Sequence, residues 1–434
     1  MVAADVLRAV SRGRRLDLAL GSASADLSSR DRRWVQEASY GTVRLRGRLD
    51  FLLDGHLARG LDSLPPPVLD LLRLGAYQLL FMDGVPAYAA ISQTVEQIRG
   101  VSGSGGARLA NGVLRNLGRE GADLFRFPRF EEDPGGFLTS WGSHPRWMID
   151  RWLRQWSPEE VRRLVEWNNK PPPLYFRPLG PTLDEARASL AGMGLEVVEA
   201  GPGIPCLQLP DGTNPARILD SVSGIVQDPG AALVTTYARF PRGQTVADLC
   251  AAPGGKALAL ASGGAYVLAA DRSARRLRLL DENRRRVGVR MELVAALAQA
   301  PPFREVPNLL LDVPCTGTGT LRRHPDARWR LEEGMVGRLA ELQRSMLEAG
   351  SRLLTDGGVL VYSTCSLEPE ENREQVETFL SDHPEFRIEE PEEEGHDGIL
   401  WGSSEYLDDL RLLTVVPQTA GFDGAFAARM VKRT

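Results

Sequence analysis

"TVADLCAAPGGKALAL", residues 245–260, reads as a strand, a glycine-rich loop and the first turns of a helix. Gly254 and Gly255 let the backbone come close to a ligand, and the helix N-terminus behind them favours a carboxylate or phosphate. The next apolar run, "AYVLAADRS" (265–273), ends on Asp271, 17 residues after Gly254. An acid there can bind ribose hydroxyls. The loop lacks a GxxxxGK[ST] pattern, so an adenosine ligand without a triphosphate suits it better than a nucleoside triphosphate.

The same alternation continues outward. From about residue 221, the runs "TVADL", "AYVLAA", "MELVA", "NLLLD" and "GGVLVY" alternate with helical stretches, which predicts a doubly wound, mainly parallel α/β sheet. The finish, "LRLLTVVPQTAGFDGAFAARMVK" (410–432), reads as two strands around a glycine-containing turn, an antiparallel addition at the sheet edge.

Two of the four cysteines fall at strand ends in this region. Asp312 closes the fourth strand in "LLLDVPCTGTG" (309–319), Pro314 stiffens the turn and Cys315 follows. Cys365 stands in "VYSTCSLEPEEN" (361–372). Singly, each could be a small buried hydrophobe. Together at the carboxyl edge of one sheet, beside hydroxyl residues, they point to thiol chemistry where open α/β sheets bind ligands. The acids after Cys365 read as a surface helix (370–381) and then a loop, with no part in the chemistry. Cys206, Cys250, Cys315 and Cys365 form no CxxC or Cys/His cluster, which argues against zinc and against a disulfide framework. A reducing cytoplasm fits such a chain.

The remainder divides in two. Residues 1–130 show helical spacing and no strand alternation. "PPVLDLLRLGAYQLLFM" (66–82) and "AYAAISQTVEQIRG" (87–100) read as helices, "VSGSGGA" (101–107) as a loop and "RLANGVLRNLGREG" (108–121) as a further helix. This is an all-α domain. Residues 131–220 read as a small α+β domain, with two helices in "HPRWMIDRWLRQWSPEEVRRLVEWNN" (144–169) and Ser157-Pro158 capping the second. "PLYFRPLG", a helix from Thr182 to Met193, "LEVVEA" and "CLQLP" complete it. Residues 221–434 form the third domain.

Charge is uneven. The net charge is −5, yet residues 1–130 carry 18 Arg against 13 acids, while residues 367–400 carry 13 acids against 2 Arg. Without that acidic stretch the molecule is mildly basic, compatible with nucleic acid. Arg322, Arg323, His324 and Arg328, interleaved with Trp329, suit phosphate contact and base stacking on RNA; a solvated arginine-rich loop fits the composition equally. Lysine is nearly absent, with Lys170, Lys256 and Lys432 against 49 Arg. No apolar run approaches the roughly 18 residues of a membrane span. The amphipathic N-terminus reads as a folded helix.

"DLCAAPGGK", "LDVPCTGTGTLRRHPD" and "YSTCSLEPEEN" resemble the cofactor loop, fourth-strand motif and cysteine motif of the Sun/RsmB family of 16S rRNA cytosine-5 methyltransferases. "VSGIVQDPGAALV" (222–234) and "GFDGAFAARMVK" (421–432) match it too. "LLRLGAYQLLFMDGVPAYAAISQTVE" and "LANGVLRNL" resemble the NusB-like RNA-binding domain that precedes the enzyme in such proteins. The resemblance implies a multidomain architecture: an all-α NusB-like domain, a small α+β middle domain, and a Rossmann-like class I methyltransferase domain. It implies S-adenosyl-L-methionine as cofactor, 16S rRNA or a small-subunit assembly particle as partner, a monomeric protein and no membrane. By the same resemblance Cys365 attacks carbon 6 of the base, Cys315 assists release of the product and Asp312 holds the base edge. Cys250, Ala251, Ala252, Pro253, Gly254, Gly255 and Lys256 cradle the cofactor, joined by Asp312, and Asp271 binds its ribose. One position departs: in "MELVAALAQAPPF" (291–303), Leu297 stands where the family carries an aspartate beside the adenine. Two other readings remain open at this point. One is an RNA-binding assembly factor with a weakened or vestigial methyltransferase domain; the other is a cytosine-5 methyltransferase for another RNA such as tRNA.

Overall fold

The structure is a computed structural model that describes residues 1–389 and 404–433. It divides into two compact units, Met1–Pro171 with Leu321–Glu333, and Pro172–Thr320 with Gly334–Thr434. The division differs from the expected boundaries at 130 and 220. The helices of the expected middle domain before Pro171 group with the N-terminal unit, and its strands, with the helices Leu183–Gly192 and Pro215–Leu219, group with the C-terminal one. Among the described residues no helix is long and apolar enough to cross a membrane.

The first unit is helical throughout. Pro66–Phe81 forms the expected helix with Pro at its first turn, where a missing N–H costs nothing. The expected loop at 101–107 contracts to one residue. The chain is helical over Ala87–Glu120 except at Gly103, whose φ of +68° breaks the run and which glycine adopts without strain. Ser157 caps Pro158–Asn168 through a reciprocal capping box with Glu160.

The tract expected to meet RNA behaves otherwise. Arg328 is fully buried, and its guanidinium donates to the carbonyls of Arg44, Ser143, Asn168 and Leu321 and to Asn169 Oδ1. Arg322 donates to the carbonyls of Lys170 and Pro171 and stacks 3.8 Å over Trp167. Trp329 donates its indole N–H to Val43 O at 2.8 Å. The carbonyls around the end of Pro158–Asn168 have no intrahelical partner, and planar guanidinium groups satisfy them. Arg322 and Arg328 are therefore internal struts of this unit, while Arg323 and His324 are half-buried.

The second unit holds two sheets. Strands β1 (Leu174–Pro178), β2 (Val198–Glu199), β3 (Leu207–Leu209) and β4 (Gly224–Val226) pair antiparallel in the order β2-β3-β1-β4. The helix Leu183–Gly192, capped by Thr182 as expected, covers Phe176, Leu207 and Leu209 with Ala186 and Leu190. Strand β4 lies beyond residue 220, so this sheet draws on sequence assigned to the catalytic domain.

The larger sheet contains β5 (Thr245–Asp248), β6 (Tyr266–Asp271), β7 (Met291–Ala295), β8 (Val306–Asp312), β9 (Leu354–Thr364), β10 (Phe386–Ile388), β11 (Leu413–Val415) and β12 (Ala425–Lys432). Its order is β10-β12-β9-β8-β5-β6-β7, with β5 to β9 parallel and β11 paired to β12. Both faces are covered, which explains why the strands read as continuous apolar runs. Leu310, Val359 and Val361 pack with Leu233, Tyr237 and Leu258 on one face. Leu309, Leu311, Leu360 and Tyr362 pack with Met346, Leu347 and Phe379 on the other. The closing strands are antiparallel as expected, but β12 is not the edge. It lies between β9 and β10, because the short run "FRI" after the acidic helix supplies a further strand. That helix spans Arg373–Asp382; the rest of the acidic stretch, from 390 to 400, lies outside the described residues.

Candidate active site

Strands β5, β6, β8 and β9 all end at one edge of the sheet, and their register sets Asp312 beside Ser363. After β5 the chain passes through the glycine loop into the helix Gly255–Ser262. Gly254 has φ +116°, and a Cβ there would lie 2.3 Å from Leu280, so only glycine fits. Gln227 lies against Gly255, held by a hydrogen bond of 2.8 Å from the buried Arg177. Asp271 is buried at the end of β6. Its Oδ2 accepts the Ala252 N–H at 3.2 Å and its Oδ1 the Ser273 N–H at 2.8 Å. A carboxylate so placed retains lone pairs for a ribose diol. The loop and Asp271 thus fit the ribose and amino-acid parts of S-adenosylmethionine. Leu297 follows β7, is 54% exposed, and offers no acceptor to an adenine amino group.

The two cysteine loops meet at the same edge. Cys315 Sγ and Cys365 Sγ are 3.4 Å apart, and the Cys365 N–H also points at Cys315 Sγ at 3.4 Å. Asp312 is held from both sides, by Lys256 Nζ at 2.8 Å on Oδ2 and by Ser363 Oγ at 2.9 Å on Oδ1. The site residues Lys256, Asp312, Cys315 and Cys365 are thereby brought together. Beneath them Gly319 and Gly424 nearly touch. A Cβ on Gly319 would lie 2.9 Å from Gly424 Cα and 2.8 Å from Cys365 O. Asp423 N–H bonds Asp228 Oδ1 at 3.0 Å, joining "GFDG" to "QDPG". Five separate sequence motifs converge on one edge.

Burial and charge set the proton affinities. The Cys315 thiol is raised well above its ordinary value by its hydrogen bond to Cys365, then by burial and by the charges of Cys365 and Glu371. Burial pulls the Lys256 ammonium down, but Asp312, joined by the charges of Cys365 and Asp248, more than offsets it and the net direction is upward. Cys206 is pushed up to about 12 by burial, and burial also raises Cys250, so these two thiols are packing groups.

Burial, reinforced by the charge of Asp312, pushes the Asp248 carboxyl up to about 7. A raised acid holds its proton longer when folded than when unfolded, so it costs nothing below about pH 4. It destabilises progressively as pH rises through about 7. At about 1.4 kcal/mol per pH unit the upper bound is about 4 kcal/mol. Asp248→Asn keeps an acceptor for the Cys250 N–H, which lies 3.2 Å away. The variant is expected to melt several degrees above wild type at pH 8, with the difference vanishing near pH 4. A constant offset across that range in thermal melts would refute this account.

One buried network was not anticipated. Glu368 and Glu371 of "SLEPEEN" are fully buried, whereas the sequence reading placed these acids on a surface helix. The residues Pro369–Glu371 form a separate 3₁₀ turn before the α-helix begins at Arg373. Glu371 accepts from Thr316, Ser366 and Gln343, and Asn372 bonds Thr364 and Ser366 O. The only sequence signal was Pro369, which marks a break in the helical run.

Comparison with known proteins agrees with this arrangement. The family model "16S rRNA methyltransferase RsmB/F" matches residues 238–431, the NusB family model residues 1–119, and a ferredoxin-like domain model of RsmF/B-like methyltransferases residues 144–210. Ribosomal RNA small subunit methyltransferase B of Sodalis glossinidius (strain morsitans) is 32% identical over 444 residues, covering 100% of this chain and 97% of the relative. A probable ribosomal RNA small subunit methyltransferase B of Synechocystis is 34% identical, covering 94% and 92%. The crystal structure of PH0851 shares the fold, with a TM-score of 0.77 at 24% identity over 99% of this chain and 98% of that one. With full-length identity above 30% and the two thiols, the Lys256–Asp312 pair and the glycine loop at one sheet edge, the chain belongs to the RsmB family of S-adenosylmethionine-dependent ribosomal RNA methyltransferases.

Proposed function

We propose that this protein methylates carbon 5 of a cytosine in 16S rRNA through a covalent bond between Cys365 and the base. The observation that carries this reading is the 3.4 Å approach of Cys365 to Cys315 next to the Asp312–Lys256 pair. Cytosine carbon 5 is a poor nucleophile. A Cys365 thiolate adding to carbon 6 pushes the ring electrons toward carbon 5 and makes it an enamine. S-adenosylmethionine, bound by residues 250–256 and Asp271, supplies the electrophilic methyl group. Asp312, ion-paired to Lys256, accepts the exocyclic amino N–H of the base; contact with ring nitrogen 3, itself an acceptor, requires a shared proton.

Release needs a base near carbon 5. Once Cys365 is a thioether, its hydrogen bond and its charge no longer raise Cys315, which can then lose its proton to solvent. Cys315 thiolate removes the carbon-5 proton, those electrons restore the carbon 5–carbon 6 double bond, and Cys365 leaves as thiolate. The cycle ends with the thiol and thiolate it began with. A base in a stem must first leave its stack to reach Cys365.

RNA binding falls to residues 1–130, in keeping with their positive balance and the NusB family match, with 131–220 as a linking and RNA-binding segment and 221–434 catalytic. Because Arg322 and Arg328 are spent internally, exposed Arg272, Arg275 and Arg278 on the C-terminal unit are better placed for phosphates. With RNA binding and catalysis on one chain, a monomer suffices for the reaction, working in the reducing cytoplasm that free thiols need. The test is transfer of label from S-adenosylmethionine to unmodified 16S rRNA and small-subunit particles, with mapping of 5-methylcytosine and tRNA as control. One labelled cytosine in 16S rRNA is expected; label confined to tRNA, or none despite cofactor binding, would overturn the reading.

Leu297 favours one variation, a weakened cofactor site. An acid at that position would accept the adenine amino group, a hydrogen bond worth about 1 kcal/mol. Leu297→Asp is therefore expected to tighten S-adenosylmethionine roughly fivefold by calorimetry. Unchanged or weaker binding would remove this position from the adenine site.

A further inference from the structure

We propose that Glu371 is the positioning residue of the two-thiol reaction: its carboxylate fixes the Cys315 loop against the Cys365 loop so that Cys315 stands ready for product release. The inference deepens the reading above and rests on it. Glu371 does not reach the reacting atoms; it acts through the residues next to each cysteine.

Four donors converge on this one side chain. The Thr316 N–H donates to Oε1 at 3.0 Å, Thr316 Oγ1 bonds Oε2, Ser366 Oγ donates to Oε2 at 2.5 Å and Gln343 Nε2 donates to Oε1 at 2.9 Å. Thr316 directly follows Cys315, and Ser366 directly follows Cys365. Gln343 also donates to Pro314 O at 3.0 Å, the residue before Cys315. The turn that carries Glu371 is itself pinned, since Tyr362 OH donates to Glu371 O at 2.6 Å. The carboxylate is fully buried, and such a group is tolerated only when its lone pairs are filled. Those donors are spent on the two loops that bear the thiols and on the helix behind them, a distribution that sets relative position and not global stability alone. Ser366 Oγ also lies 3.0 Å from Thr316 Oγ1, so the two loops touch directly across the carboxylate.

Glutamine at 371 keeps the shape but presents an NH₂ where two donors now point, so at least one donor loses its acceptor. The Cys315 loop is then free to shift. A displacement near 1 Å can cost about 100-fold in a positioned reaction.

The experiment compares wild type, Glu371→Gln and Cys315→Ala with 16S rRNA and S-adenosylmethionine. It reads turnover, the protein–RNA adduct that survives denaturation, and cofactor affinity by calorimetry. For Glu371→Gln, turnover is expected to fall roughly 10- to 100-fold, cofactor affinity to stay within about twofold, and adduct to accumulate as in Cys315→Ala. A purely structural role would instead lower cofactor binding and adduct together. Turnover near wild type, or lost transfer without adduct while cofactor binding holds, overturns the role of Glu371. If Glu371→Gln loses cofactor binding through misfolding, Thr316→Val, which removes one donor and leaves the carboxylate in place, is read in its stead by the same criteria. Absence of adduct in Cys315→Ala overturns the two-thiol reading, and this inference falls with it; adduct there with normal turnover in Glu371→Gln isolates the failure to Glu371.

Discussion

Cys365→Ala is expected to lower methyl transfer to 16S rRNA by about 1,000-fold or more, with S-adenosylmethionine affinity unchanged within about twofold. The size follows from the chemistry. Without addition at carbon 6, the ring has no enamine, and positioning of cofactor and base brings together two groups that do not react. Cys315, 3.4 Å away, is the obvious substitute. Its loop is tied through Thr316 to Glu371, however, so it is aimed at the release step and cannot swing to carbon 6 without breaking those bonds. The cofactor loop does not rest on this sulfur, as its contacts run to Asp271, Gln227 and, through Lys256, Asp312. Cys365 is half-buried, so loss of one sulfur removes little packing. Single-turnover transfer of a labelled methyl group measures the effect. Transfer at an undiminished rate would sink covalent catalysis through Cys365, and lost cofactor binding would mean the variant reports folding instead.

The sheet was legible because both its faces are covered. Five of its strands are short apolar runs bounded by turns, and a chain can bury such runs only between helices. The site was legible for a related reason: Asp271 and Asp312 close their strands, and Cys315 and Cys365 follow strand ends, where the fold delivers functional groups. What stayed hidden was the direction of polar side chains. Arginine in "LRRHPDARWR" has the same letter whether it faces phosphate or carbonyl. The buried state of Arg328 depends on Asn168, Ser143 and Arg44, which are distant in sequence. Glu371 was misplaced for the same cause. An acid in an acidic run reads as solvated, and only the hydroxyls and amide brought from Thr316, Ser366 and Gln343 make its burial tolerable. Pairing partners were equally silent. Nothing in "GIV" tells that it completes the small sheet, and nothing in "FRI" tells that it makes β12 internal. Local pattern fixes periodicity, whereas these outcomes are set by long-range contact.

Cys315→Ala is expected to convert the enzyme from a catalyst into a trap. The first half of the reaction needs Cys365, the base and the cofactor, all of which remain. The second half needs a group that takes the proton from carbon 5, and alanine cannot. About one methyl group per protein molecule is therefore transferred, after which the RNA stays joined to Cys365 through carbon 6. The adduct is expected to survive denaturation and run as a shifted band carrying both protein and labelled RNA, while multiple turnover falls by roughly 100-fold or more. Wild type should show no such band at steady state. The electrostatics sharpen the expectation. In the free enzyme Cys315 is held protonated by its hydrogen bond to Cys365, by burial and by nearby negative charge, so it does not compete for the base. Only bonding of Cys365 to carbon removes the first of these influences, which makes Cys315 a base in the adduct and hardly before. Serine at 315, far weaker as a base than a thiolate, should trap as well as alanine. Two results would refute the role: turnover near wild type, which would place the base elsewhere, or loss of both transfer and adduct with cofactor binding intact, which would place Cys315 before the attack and not after it.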